Sequence, residues 1–147
     1  MSVRALDATE VLPVAVGRAL RDAGLGWRPT AGDRFVLADR DMDTEVFVVS
    51  DMVADVHEFP SGPVIGFNGT VEWALDSIQT EQAVWLPAED QLRRMLGGTF
   101  VRLQRDGSTW SVTVRLPGDT TETVLASVAP AEAYAAALLL LLDRTRD

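Results

Sequence analysis

The sequence contains no cysteine and no lysine, and it has only one histidine and one tyrosine. Without cysteine, the chain has no disulfide framework, no cysteine-ligated zinc or iron–sulfur site and no cysteine nucleophile. Without lysine, it has no Schiff-base residue and no lysine to bind a phosphate. A single histidine excludes sites that take two from one chain, such as the HExxH motif. We therefore predict a non-catalytic protein that uses no cofactor.

Long apolar segments are also missing. The longest apolar run, Ala133–Leu142, has about ten residues, which is half the length that a membrane span needs. The first residues, Met1–Asp7, lack the basic and apolar regions of a signal peptide. We expect a cytoplasmic protein that does not bind membranes.

The charge is strongly acidic: 22 acidic residues stand against 13 basic ones, and the net charge is −9. Binding to a phosphate backbone requires a dense basic surface, so we expect no nucleic-acid partner. An acidic surface also suits a protein that covers a basic protein partner, as immunity-type proteins do. That alternative to self-association stays open at this point.

The segment pattern predicts one α+β domain over residues 1–147, with a loose lead-in at 1–11 and a frayed end at 144–147. Helical spacing indicates an N-terminal helix, short middle helices and an apolar C-terminal helix, and short turns between strands favour antiparallel meanders. The predicted helices are Leu12–Ala23, Val71–Ile78, Pro87–Leu96 and Pro130–Asp143. A first meander comprises Arg34–Ala38, Glu45–Ser50, Val53–Phe59 and Val64–Phe67. A further extended segment is Ala83–Leu86. A second meander comprises Thr99–Gln104, Thr109–Leu116 and Thr121–Val128.

Two groups of acidic residues are candidate metal or acid–base sites. The segment Asp39–Asp43 has the D-x-D-x-D spacing of a calcium loop, but Thr44 and Ser50 replace its glycine and its glutamate. In a second group, strand alternation sets Asp51, Asp55 and His57 on one face, with Glu58 adjacent. We treat this second group as the alternative polar site of a small metal-dependent enzyme or ligand-binding protein.

The four tryptophans are numerous for a chain of this length. Trp110 lies on the apolar face of its predicted strand, whereas Trp73 lies at a helix edge, and Trp27 and Trp85 lie beside loops. Half-exposed aromatic side chains of this kind mark protein-binding surfaces. We predict that Trp27, Trp73 and Trp85 contribute to an interaction surface; the alternative is that they anchor loops on the domain.

The C-terminal helix is apolar on every side from Tyr134 to Leu142. A helix without a polar face is buried all round, either inside one chain or between subunits. We predict that Tyr134, Leu138 and Leu141 belong to a self-association surface that forms a homodimer. Burial within the same chain and contact with a separate protein partner are the alternatives.

Five stretches together resemble a group of small actinobacterial proteins of unknown function, some of which are labelled pilus assembly proteins. These stretches are Ala31–Val36, Phe47–Met52, Gly66–Thr70, Trp73–Ser77 and Val84–Pro87, and the similarity covers roughly residues 12–142. The second half also resembles the small α/β/α sandwich modules of phage proteins. Neither resemblance implies catalytic residues for this chain.

Overall fold

The computed structural model describes residues 11–37, 46–49, 55–59, 62–66, 77–79 and 83–145. These residues form helices and antiparallel sheets, so the predicted α+β class is confirmed. They divide into two compact units: the first lies within Gly26–Leu86, and the second comprises 11–25 and 87–145. The predicted lead-in up to residue 10 lies outside the described residues, and the domain bounds 1–147 stay a prediction.

The first unit consists of strands. Those that the structure describes are β1 (Arg34–Leu37), β2 (Phe47–Val48), β3 (Asp55–Phe59), β4 (Gly62–Gly66), β5 (Ser77–Gln79) and β6 (Ala83–Leu86). They form two antiparallel sheets of three strands each, in the orders β2-β1-β6 and β3-β4-β5.

Strand β1 is buried on both faces. On one face Phe35 packs in a cluster of buried apolar side chains with Leu37, Phe47, Val49 and Ala83. On the other face Val36 lies opposite Val84, and both are fully buried. A strand buried on both faces is expected to have consecutive apolar residues rather than strict alternation, and the Phe-Val-Leu run has them.

The predicted meander of four consecutive strands is interrupted between its second and third strands. Strand β1 pairs with β2 and with the distant β6, and β3 pairs with β4 in a different sheet. Short connections favour neighbouring strands but do not determine them, because the outcome depends on which apolar faces are buried together. Ala83–Leu86, which the sequence predicts only as an extended segment, is the strand that completes the sheet of β1.

The helix predicted over Val71–Ile78 is wrong at its C-terminal end. Ser77–Gln79 is strand β5, and in its register Ile78 lies opposite Ile65 of β4. Isoleucine is β-branched and fits a strand well, so pairing with β4 outweighs the helical spacing of the sequence. Residues 71–76 lie outside the described residues.

The second unit has the predicted order of a helix, a meander and a final helix. Its elements in the described part of the chain are α1 (Val14–Asp22), α2 (Glu89–Leu96), β7 (Phe100–Asp106), β8 (Thr109–Val114), β9 (Thr123–Ser127) and α3 (Pro130–Thr145). The sheet is antiparallel, in the order β7-β8-β9. Helix α2 ends at Leu96, and the next residue, Gly97, has a φ of 57°, which favours glycine.

One face of this sheet packs on helix α3. Val112, Val114 and Leu116 share that face and are buried, as the alternation of the sequence predicts. The rings of Phe100 and Tyr134 of α3 lie 5.7 Å apart on the same side. We call this the inner face of the sheet, and the opposite one the outer face.

Helix α3 is longer than predicted at its C-terminal end. Residues Arg144 and Thr145, predicted to fray, belong to the helix, whereas 146–147 lie outside the described residues. The Arg144 guanidinium donates from Nη1 to Oδ1 of Asp119 at 2.9 Å and to the carbonyl of Pro117 at 3.2 Å. These bonds hold the last turn against the loop between β8 and β9, which explains why the helix continues.

Candidate interaction surfaces

The structure brings two of the predicted tryptophans together in the first unit. The rings of Trp27 and Trp85 are stacked, with centroids 6.2 Å apart and planes inclined by 11°. Trp27 also lies 5.5 Å from the ring of the fully buried Phe35. Both indoles are half-buried. Trp73 lies outside the described residues.

Hydrogen bonds fix Trp27 to its own loop. Its Nε1 donates to Oδ2 of Asp33 at 2.9 Å, and the backbone N–H of Thr30 donates to the same oxygen at 3.0 Å. Asp33 is buried, so these bonds compensate for the removal of its carboxylate from water. The stacked pair therefore anchors the loop that precedes β1, which is the loop-anchoring alternative of the sequence analysis.

Helix α3 does not present the surface that its composition predicts. Tyr134 and Leu138 are buried, with exposed fractions of 0% and 2%, and α3 contacts α1, α2, β8 and β9 of its own chain. Their placement on a self-association surface is thus wrong, because the sheet and two helices cover this part of α3. Leu141 is half-buried, and Leu140 is exposed, near the end of the helix.

The hydroxyl of Tyr134 is buried without a hydrogen-bond partner among the described residues. Burial raises the pKa of this hydroxyl above its ordinary value, and the nearby guanidinium of Arg93 acts in the opposite direction. The negative charge of Glu89 also raises the pKa, so the Tyr134 hydroxyl is neutral at physiological pH.

The most exposed large apolar side chains described in the second unit lie on and just after strand β9. Val124 and Val128 have exposed fractions of 58% and 75%, and Ala126 between them is exposed as well. The three residues alternate along the chain and lie toward the outer face. Sequence reasoning missed them, although the uncharged segment Thr123–Ala131 is the signal by which they are recognisable.

The rest of the outer face carries charge. Glu122 contacts Arg102 at 3.3 Å and Arg115 at 3.8 Å, so its carboxylate lies between guanidinium groups of β7 and of the residue after β8. Thr113 is on the same face and is nevertheless buried, since long charged side chains cover the surface beside them. The sheet therefore has the polar outer face that the alternation predicts. Val124 and Val128 form an apolar border along the β9 side of that face.

The predicted polar site falls partly outside the described residues. Asp51 lies outside them, and Asp55, His57 and Glu58 belong to β3, which confirms the extended spacing of this segment. The acidic loop Asp39–Asp43 lies outside them too. In the described part of the chain, no group of three histidine or acidic side chains is arranged to hold a metal ion.

No helix in the described ranges has both the length and the apolar composition required to cross a membrane. Comparison with known proteins gives no relative, since no protein-family model, no curated protein and no solved structure matches the chain. The resemblances stated for the sequence stay predictions.

Proposed function

We propose that this chain is a non-catalytic protein-interaction domain that associates with a second copy of itself in the cytoplasm. The observation that carries the proposal is the exposure of Val124 and Val128, at 58% and 75%, on one margin of the second unit. Single exposed apolar residues are common on soluble proteins, but neighbouring ones mark interaction sites. Covering them would recover about 25 cal/mol for each Å² of apolar surface.

The described residues also favour binding over chemistry. The carboxylate of Asp33 accepts hydrogen bonds from Trp27 and Thr30, and Tyr134 is buried among apolar side chains. Asp90 and Asp119, whose carboxyl pKa values are lowered, are ion-paired on the surface with Arg94 and Arg144. Such pairs support helices and loops rather than a reaction.

Light scattering coupled to size-exclusion chromatography tests the proposal. We expect a mass that rises from 16.0 kDa toward twice that value as the protein concentration increases from about 10 µM to about 1 mM, the range suited to a small interface. A mass that stays at that of one chain over the whole range would contradict self-association.

A further inference from the structure

The two edge strands of the second unit differ in how they are protected. An open edge exposes unpaired N–H and C=O groups, and natural edges are usually protected by charge or by a β-bulge. Strand β7 has both: its register shifts between Phe100 and Arg102, and it carries Arg102, Arg105 and Asp106. Strand β9 has neither. Its register with β8 shows no shift, and no charged residue occurs from Thr123 to Ala131.

Hairpin geometry indicates which backbone groups of β9 face outward. Only Gly107 and Ser108 separate β7 from β8, so the closing pair Asp106 and Thr109 is hydrogen-bonded. The direction of the backbone N–H and C=O groups alternates along a strand. The groups of Thr109 point to β7, so those of Trp110, Val112 and Val114 point to β9. The bond from the N–H of Arg115 to the carbonyl of Thr99 agrees with this alternation.

The same alternation extends to β9. Leu125 lies opposite Val112 and bonds to β8, so the N–H and C=O groups of Val124 and Ala126 point away from the sheet. No described strand pairs with this edge, and no backbone bond from another described segment reaches it. The residues with outward backbone groups are those with exposed side chains, so β9 presents both parts of a strand-pairing surface.

We infer that β9 pairs antiparallel with β9 of a second copy, which joins two three-stranded sheets into one sheet of six. This inference rests on the proposed function and specifies its interface. The register that keeps the pairing within β9 centres on Leu125 and sets Val124 beside Ala126 of the second copy. Main-chain hydrogen bonds then supply the affinity, as in other cases of strand addition.

Charge explains why the occupant is a second copy. Each chain carries a net charge of −9, so two copies associate best where their carboxylates stay apart. In the register centred on Leu125, Thr123 lies opposite Ser127, and no charged residue lies within the paired strands. An uncharged strand has nothing to attract a basic or an acidic segment of another protein.

Proline at position 126 tests the inference directly. Ala126→Pro removes an outward N–H without removing a bond to β8, and proline is tolerated on edge strands in such positions. The matched control, Ala126→Ser, keeps the N–H. We expect the dissociation constant of the dimer to rise at least about tenfold for Ala126→Pro and to change little for Ala126→Ser, with circular dichroism unchanged for both.

Introduced cysteines provide a second measurement that does not depend on the proline variant folding. The chain has no cysteine of its own, so the double variant Val124→Cys/Ala126→Cys should form a disulfide-linked dimer under oxidising conditions. Residue 124 of one copy lies opposite residue 126 of the other, and the Cα atoms of such a cross-strand pair lie within disulfide range. Val101→Cys, exposed on the opposite edge strand, is the control and should not cross-link.

The outcomes separate this inference from the proposed function. If the native chain dimerises, and if Ala126→Pro dimerises equally well or Val101→Cys cross-links as readily as Val124→Cys/Ala126→Cys, the β9 interface is wrong and self-association stands. If the native chain is monomeric at every concentration, both are wrong. A requirement for a different protein to occupy the β9 edge would likewise overturn the inference.

Discussion

At the scale of single residues, two buried polar groups illustrate opposite solutions to the loss of water. The carboxylate of Asp33 accepts hydrogen bonds from Trp27 and from the backbone of Thr30. The hydroxyl of Tyr134 has no such partner among the described residues, and its ring is buried against Phe100. An unpaired buried hydroxyl costs about 1–3 kcal/mol, so the ring of Tyr134 stabilises the core and its oxygen does not.

Removing the hydroxyl should therefore not harm the protein. For Tyr134→Phe we expect the free energy of unfolding to stay equal or to rise by up to about 2 kcal/mol, measured by urea denaturation at neutral pH. The unfolded chain ionises tyrosine near its ordinary pKa of about 10, before the folded chain with its raised pKa. The native protein should accordingly lose stability above that pH relative to the variant.

A clear loss of stability in Tyr134→Phe at neutral pH would contradict this account, because it would mean that the hydroxyl makes a stabilising hydrogen bond. A second check is the pH dependence itself. The difference in unfolding free energy between the native protein and Tyr134→Phe should be constant at all pH values below the ordinary pKa of tyrosine. In that range the hydroxyl is neutral in the folded and in the unfolded chain.

At the scale of elements, helix α3 depends on what holds its two ends. Its first half is buried in its own unit, and its last turn is held by Arg144, which binds Asp119 through two guanidinium nitrogens. The Arg144 guanidinium holds the pKa of the Asp119 carboxyl below its ordinary value. This contact is stabilising above the ordinary pKa of Asp and is lost as the pH falls through the lowered value.

Replacing Arg144 should return the pKa of the Asp119 carboxyl to its ordinary value. In Arg144→Gln we expect the pKa of Asp119 to rise toward about 3.9, measured by NMR titration of its side-chain carboxyl carbon. The pKa of Asp90, lowered by the separate guanidinium of Arg94 on α2, is the internal control and should not change. An unchanged pKa for Asp119 would show that the helix end is held in another way.

The elements also show what sequence patterns determine. The second unit was predictable, because its strands are joined by short turns and β8 alternates regularly. The first unit was predictable only as a set of strands: the pattern of Arg34–Ala38 indicates a strand but contains nothing that selects β6 as its neighbour. The same limit applies to the candidate interaction surface. The composition of α3 indicated that the helix is buried, but it did not show that residues of the same chain bury it.

Exposure of the β9 valines was harder to predict for a related reason. Thr123–Ser127 alternates like a normal amphipathic strand, and either set of alternate residues is apolar enough to face the core. Only pairing with β8 assigns Leu125 to the inner face and leaves Val124 and Ala126 outside. The uncharged segment Thr123–Ala131 singles out this strand in the sequence, but only the register shows which of its residues are exposed.

At the scale of the whole molecule, charge sets the conditions under which the chain associates. A net charge of −9 on each copy opposes dimer formation by long-range repulsion, whereas the uncharged β9 edge adds no attraction between opposite charges. Repulsion between exposed charges is screened over about 10 Å at 0.1 M salt and over about 3 Å at 1 M. A protein that instead used its acidity to cover a basic partner would depend on attraction that salt weakens.

Salt should therefore strengthen self-association. We expect sedimentation equilibrium to give a tighter dimer of the native chain in sodium chloride at about 1 M than at about 0.1 M, because screening removes repulsion while the strand pairing remains. Ala126→Pro should keep a dissociation constant at least about tenfold above that of the native chain at both concentrations, which separates this effect from general salting-out. Dissociation of the dimer by salt would mean that opposite charges hold the copies together, and an uncharged strand such as β9 cannot supply that attraction.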